Sequence, residues 1–136
     1  MNHLNCNDKQ RYISSSKICK VVLDEIILKI QKSQILVLKE LYLYGNTRLQ
    51  QELTLISKDE IHSIAFPTSI SLNNCVGNYL YSNDQKINPG DVVKIQLGVN
   101  LGGCIVNIGE TIIYDKEKEL LLEKVISKEH QKYLIY

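Results

Sequence analysis

The chain has 136 residues, 44% of them apolar, which suits one ordinary domain with a buried core and argues against a disordered one. Sixteen basic residues stand against fifteen acidic, a net charge of +1, so the strong basic surplus of a protein held mainly by phosphate contacts is missing. No run approaches the roughly 18 consecutive apolar residues of a membrane span, and the polar start from Met1 to Asp8 lacks a signal-peptide core, so the expected location is cytoplasmic.

From 13 to 32 the apolar residues Ile18, Val21, Val22, Ile26 and Ile30 recur at spacings of three and four, with Lys20, Asp24, Glu25 and Lys29 between them. This predicts an amphipathic helix, with Ser14, Ser15 and Ser16 as candidate N-caps. A second helix is expected over 36–56, with Gly45 and Asn46 as a possible break.

After Lys58 the frequent Asn, Pro and Gly residues predict mostly strand and loop. Pro89-Gly90 is a turn signal, and a strand follows over 92–100, with Val93, Ile95, Leu97 and Val99 on one face and Val92, Lys94, Gln96 and Gly98 on the other. Its expected partner is 103–108. If Leu101 and Gly102 form the two-residue loop, Gln96 lies directly opposite Asn107 on one face. From Asp115 onward Leu120, Leu121, Val125 and Ile126 resume helical spacing, with Glu117 and Glu119 early and Lys128 and Lys132 late, as the helix dipole favours. No repeat or low-complexity linker divides the chain; a tail over 1–11 and one domain over 12–136 are expected.

The run Ala65-Phe66-Pro67-Thr68-Ser69-Ile70-Ser71-Leu72-Asn73-Asn74-Cys75, followed by Pro89-Gly90-Asp91-Val92-Val93-Lys94-Ile95-Gln96-Leu97-Gly98, resembles the type 2 methionine aminopeptidases and their non-catalytic relative, the proliferation-associated protein, of the peptidase M24 family. The resemblance runs from about Tyr12 to the last predicted helix. It implies the α+β pita-bread fold, whose two similar halves, each with helices on a curved antiparallel sheet, enclose a two-metal centre. The chain matches the N-terminal half, so a histidine and two glutamates that the second half gives the metals are not expected from it.

In active members of that family two aspartates eleven residues apart bind the metals, and the resemblance places Gln96 and Asn107 at those positions. Neither amide is anionic, whereas adjacent dications need carboxylates to offset their repulsion and to lower the pKa of the bridging water. The substrate-site histidine of the family, three residues after the motif cysteine, corresponds to Asn78, which cannot exchange protons near neutral pH. Glu110, three residues after Asn107, cannot replace the lost charge, because an odd offset puts its side chain on the other strand face. Asn73 and Asn74 read as residues making local turn bonds. Cys6, Cys19, Cys75 and Cys104 lack the paired spacing of zinc or redox sites and read as reduced thiols, and Cys75 has no histidine partner at a predictable distance. His3, His62 and His130 do not cluster and read as surface residues.

No metal, cofactor or catalytic residue is therefore expected. The resemblance implies a non-catalytic, peptidase-like binding protein associated with the large ribosomal subunit near the nascent-chain exit, contacting ribosomal RNA or proteins. Its expected RNA-facing residues are Lys9, Arg11, Lys17, Lys20, Lys29 and Lys32, the basic surplus of the first 32 residues. The alternatives are one half of a two-chain or homodimeric metallo-aminopeptidase, or a structural subunit of a larger complex. In each case a homo- or hetero-oligomeric partner would cover an exposed sheet face.

Overall fold

The computed structural model describes residues 5–77 and 82–115. Helix α1 spans Cys6–Gln31, so residues 6–11 form its first turns. Its N-cap is Asn5 and none of the three serines: the Asn5 Oδ1 accepts from the Asp8 amide at 2.7 Å, and the Asp8 carboxylate sits at the positive end of the helix dipole. The serines lie inside the helix, with Ser15 buried. The helix ends where Ser33 takes a left-handed φ of 52° and its amide donates to the Ile30 carbonyl at 2.9 Å.

Helix α2 spans Leu38–Thr54 without interruption. Gly45, read from sequence as a break, marks a close approach instead. A β-carbon there would lie 2.3 Å from Thr68 Oγ1 and 2.9 Å from Ile26 Cδ1, so glycine is what lets α2 lie against both α1 and the sheet. No side chain caps the start of α2; the Leu38 amide donates to the Gln85 carbonyl at 2.9 Å, and the same loop buries Ile87 and sends its amide to the Leu36 carbonyl.

Three antiparallel strands, β1 (His62–Leu72), β2 (Val92–Leu101) and β3 (Cys104–Ile113), form a sheet in the order β1-β2-β3. Strand β1, eleven residues long, contains Pro67, which has no amide to give a ladder. Its pairing with β2 shifts between Ile64 and Phe66 and again between Phe66 and Ser69. The Thr68 amide beside this irregularity is taken by the Asn46 Oδ1 at 2.9 Å, so Gly45 and Asn46 together seat α2 on the bulge.

The β2–β3 loop is Gly102-Gly103, one residue later than the sequence suggested. Both glycines have positive φ, 54° and 89°, as a tight primed turn requires, while Leu101 is buried and pairs with Cys104. Moving the loop by one residue moves the register by two: Gln96 pairs with Gly109, and Asn107 with Gly98. The two amides remain on one face but stand diagonally.

The helices cover the other face. Val93, Ile95, Leu97 and Val99 of β2 are buried with Ile18, Val22, Ile26 and Ile30 of α1 and Leu41, Leu49 and Leu53 of α2. Full burial of such a side chain is worth about 1.5–3 kcal/mol, which makes this layer the main source of stability. The helix predicted after Asp115 lies outside the described residues.

Candidate functional site

The open face of the sheet carries a shallow cleft of about 380 Å³, lined by Ser71 of β1, Lys94 and Gln96 of β2, Asn107, Gly109 and Thr111 of β3, and Gly77 of the following loop. Strand alternation aims Lys94, Gln96, Asn107 and Thr111 away from the helices, because each is one residue out of step with the side chains its strand packs on them.

One rim of the cleft is built by the motif residues. Asn73 takes a left-handed φ of 53° directly after β1. Its side-chain amide donates to Asp91 at 3.0 Å, its side-chain oxygen accepts from the Val92 amide at 3.0 Å, and its backbone amide donates to the Val92 carbonyl at 2.8 Å. These bonds are not local: they join the first motif segment to the second across 18 and 19 residues. The other Asp91 carboxylate oxygen accepts from the Asn88 amide at 2.8 Å, and Gly90, with a φ of 92°, completes the predicted turn. The ammonium of Lys94 donates to the carbonyls of Asn73 and Cys75 and holds the loop down onto β2. Sequence reading passed over Lys94 as a site residue, although alternation puts it two residues from Gln96 on the same face.

Gln96 is half-buried and Asn107 exposed. The site therefore offers two neutral amides beside a lysine cation. Glu110 stands opposite Ile95, on the helix side, and its carboxylate lies 3.8 Å from Lys20 of α1. Among the described residues no group of three or more histidine, cysteine, aspartate or glutamate side chains could hold a metal ion. Asn78, His3 and His130 lie outside the described residues. His62 is half-buried, its Nδ1 2.8 Å from the Glu60 carbonyl. Cys19 and Cys104 are buried, and burial pushes the Cys19 thiol above its ordinary value, an inert state for a sulfur nucleophile.

The six basic residues of the first 32 divide into two groups. Arg11 pairs with Glu60 at 2.5 Å and Asp8 at 3.1 Å; Lys20 pairs with Asp24 at 2.6 Å; Lys29 bonds Gln34 at 3.0 Å and lies over the Tyr44 ring. Lys9, Lys17 and Lys32 have no carboxylate within 4.0 Å among the described residues. The basic surplus available to a partner is smaller than the count suggests.

The family model described as metallopeptidase family M24 matches residues 11–134. The chain belongs to this family. Its relatives include proteins named as aminopeptidases and proteins that are not. The chain is 50% identical over 52 residues to proliferation-associated protein A of Dictyostelium discoideum, a match covering 37% of this chain and 14% of that protein. It is 37% identical over 68 residues to methionine aminopeptidase 2-1 of Penicillium rubens, covering 48% and 15%. A solved structure titled as that of a thermophilic Arx1 superposes on 83% of the chain with a TM-score of 0.75 and 20% identity, and the chain spans 32% of it. The two helices on a three-stranded antiparallel sheet are thus half of the pita-bread M24 fold, an α+β arrangement. The matches cover well under two thirds of each relative's length. Among the described residues no helix is long and apolar enough to cross a membrane.

Proposed function

We propose that this M24 chain is a non-catalytic binding protein that keeps the peptidase-like cleft without its metal chemistry. The observation that carries this reading is the pair Gln96 and Asn107: they share the open face at the positions where the family resemblance puts two metal-binding aspartates, and the nearest acid on β3, Glu110, is turned to the other face and engaged by Lys20. An amide oxygen can bind a hard cation singly and weakly, but it supplies no anionic bridge between two. The Lys94 ammonium on the same face adds repulsion. The test is metal analysis of the purified chain with an assay on methionine-initiated peptides; stoichiometric paired metal with turnover overturns the reading.

The partner we propose is the large ribosomal subunit in the cytoplasm, from the resemblance to non-catalytic members of the family. Lys9, Lys17 and Lys32 are the proposed phosphate contacts, since Arg11, Lys20 and Lys29 are already engaged within the chain. Cosedimentation with ribosomes should weaken as salt rises, and the double substitution Lys9→Glu, Lys17→Glu should lower the slope of log affinity against log salt by about 2. A chain that stays at the top of the gradient at low salt removes this partner.

A further inference from the structure

Strand β3 has one paired edge and one free edge. Leu101 and Cys104 flank the two-residue loop, so they form a hydrogen-bonded pair, and every second pair along the ladder does the same. The N–H and C=O groups of Ile105, Asn107, Gly109, Thr111 and Ile113 therefore point away from β2. Among the described residues no strand takes them up.

The side chains along this edge are self-complementary. Ile105 and Ile113 are 51% and 57% exposed, large apolar groups that an edge strand normally avoids, and each lies four residues from Gly109. We propose that β3 pairs antiparallel with β3 of a second copy of the chain, about a two-fold axis at Gly109. In that register Ile105 meets Ile113 of the second copy, Asn107 meets its Thr111, and Gly109 meets its Gly109, so both exposed isoleucines are covered twice by one operation. Centring the axis on Ile108 or Glu110 also satisfies the backbone, but sets Ile105 against Thr111 or Ile113 against Asn107 and shortens the ladder.

Charge fits the same arrangement. On the helix side the Lys20 ammonium lies 3.8 Å from Glu110, and the two-fold sets two such pairs side by side, with each glutamate accompanied by a lysine. The result is an isologous six-stranded sheet, a common size, in which the clefts of both copies lie on one continuous face. The proposal goes beyond the ribosome reading and does not depend on it.

The test is sedimentation velocity over a micromolar concentration series. The wild-type chain should pass from a species of 15.6 kDa to one of twice that mass. Thr111→Pro removes an outward amide while leaving the ladder to β2 intact, and Ile105→Lys puts a charge on the edge; each should weaken dimerisation at least tenfold. A second measurement covers the case in which either variant folds poorly. With Cys6 and Cys75 changed to serine, a mixture of Asn107→Cys and Thr111→Cys chains should be joined by a short bifunctional thiol reagent, because a hydrogen-bonded pair holds its α-carbons at about 5.5 Å and its β-carbons slightly too far apart for an unstrained disulfide. Neither variant should crosslink with itself. A chain that remains monomeric, a dimer that keeps its affinity in folded Thr111→Pro and Ile105→Lys chains, or a dimer whose mixed cysteines fail to join overturns the proposal.

Discussion

The two faces of the sheet carry residues from the same strands at the same spacing, and they do opposite things. On the helix side, Val93, Ile95, Leu97 and Val99 are sealed against α1 and α2. One residue out of step, Lys94, Gln96, Asn107 and Thr111 line an open cleft, where the Lys94 ammonium is tied to the backbone carbonyls of Asn73 and Cys75. The helix face supplies stability and therefore constrains its side chains by volume. The open face costs little to alter, so its chemistry can change while the frame that displays it stays intact.

That contrast orders the expected effects of mutation. The largest is Leu97→Ala, which empties a fully buried site between sheet and helices and should cost about 3 kcal/mol, read as a lower midpoint in urea denaturation. Gly45→Val should cost about 2 kcal/mol by the same measurement, because its side chain meets Thr68 and Ile26 and must push α2 off the bulged strand. An effect near zero would mean that α2 does not rest on β1 at that point.

Asn73→Ala sits at the boundary between the two faces. It removes the side-chain bonds to Asp91 and Val92 and leaves alanine at a positive φ, so a loss of about 1 kcal/mol is expected, together with faster amide exchange at Val92. The smallest effect belongs to Glu25. Two hydrogen bonds from Arg48, at 2.7 and 2.9 Å, hold its carboxyl below the usual glutamate range; partial burial opposes the shift, and Tyr44 adds a further bond. A depressed folded pKa contributes stability that is present above the ordinary value near 4.3 and lost as pH falls through the folded one. Glu25→Gln should therefore cost less than about 1 kcal/mol at neutral pH, and the gap from wild type should close in acid.

Much of the fold was legible because local chemistry and tertiary packing agree there. The alternation over 92–100 identified the buried face of β2 correctly, and Pro89-Gly90 marked the turn before it. The odd offset of Glu110 from Asn107 was enough to place it on the other face. The failures have a common cause, which is that a residue's best local role yields to a distant contact. Gly45 looks like a helix breaker until Thr68 is brought beside it. Asn73 looks like a turn residue bonding its neighbours until Asp91 and Val92 arrive from the next motif segment. The serines of α1 look like caps, but the helix had already begun at Asn5. The hairpin register turned on which of two adjacent dipeptides supplied the loop, and the second glycine decided it because both loop positions need positive φ. At the cleft, alternation alone was sufficient to put Gln96 and Asn107 on one face, though not to show that they stand diagonally.

The most direct test of the account is isothermal titration of the purified chain with cobalt or manganese, repeated on Gln96→Ala and Asn107→Ala. Two neutral amides beside Lys94 predict no two-ion binding and no difference between wild type and the variants. Two ions bound per chain, lost when either amide is removed, would contradict it.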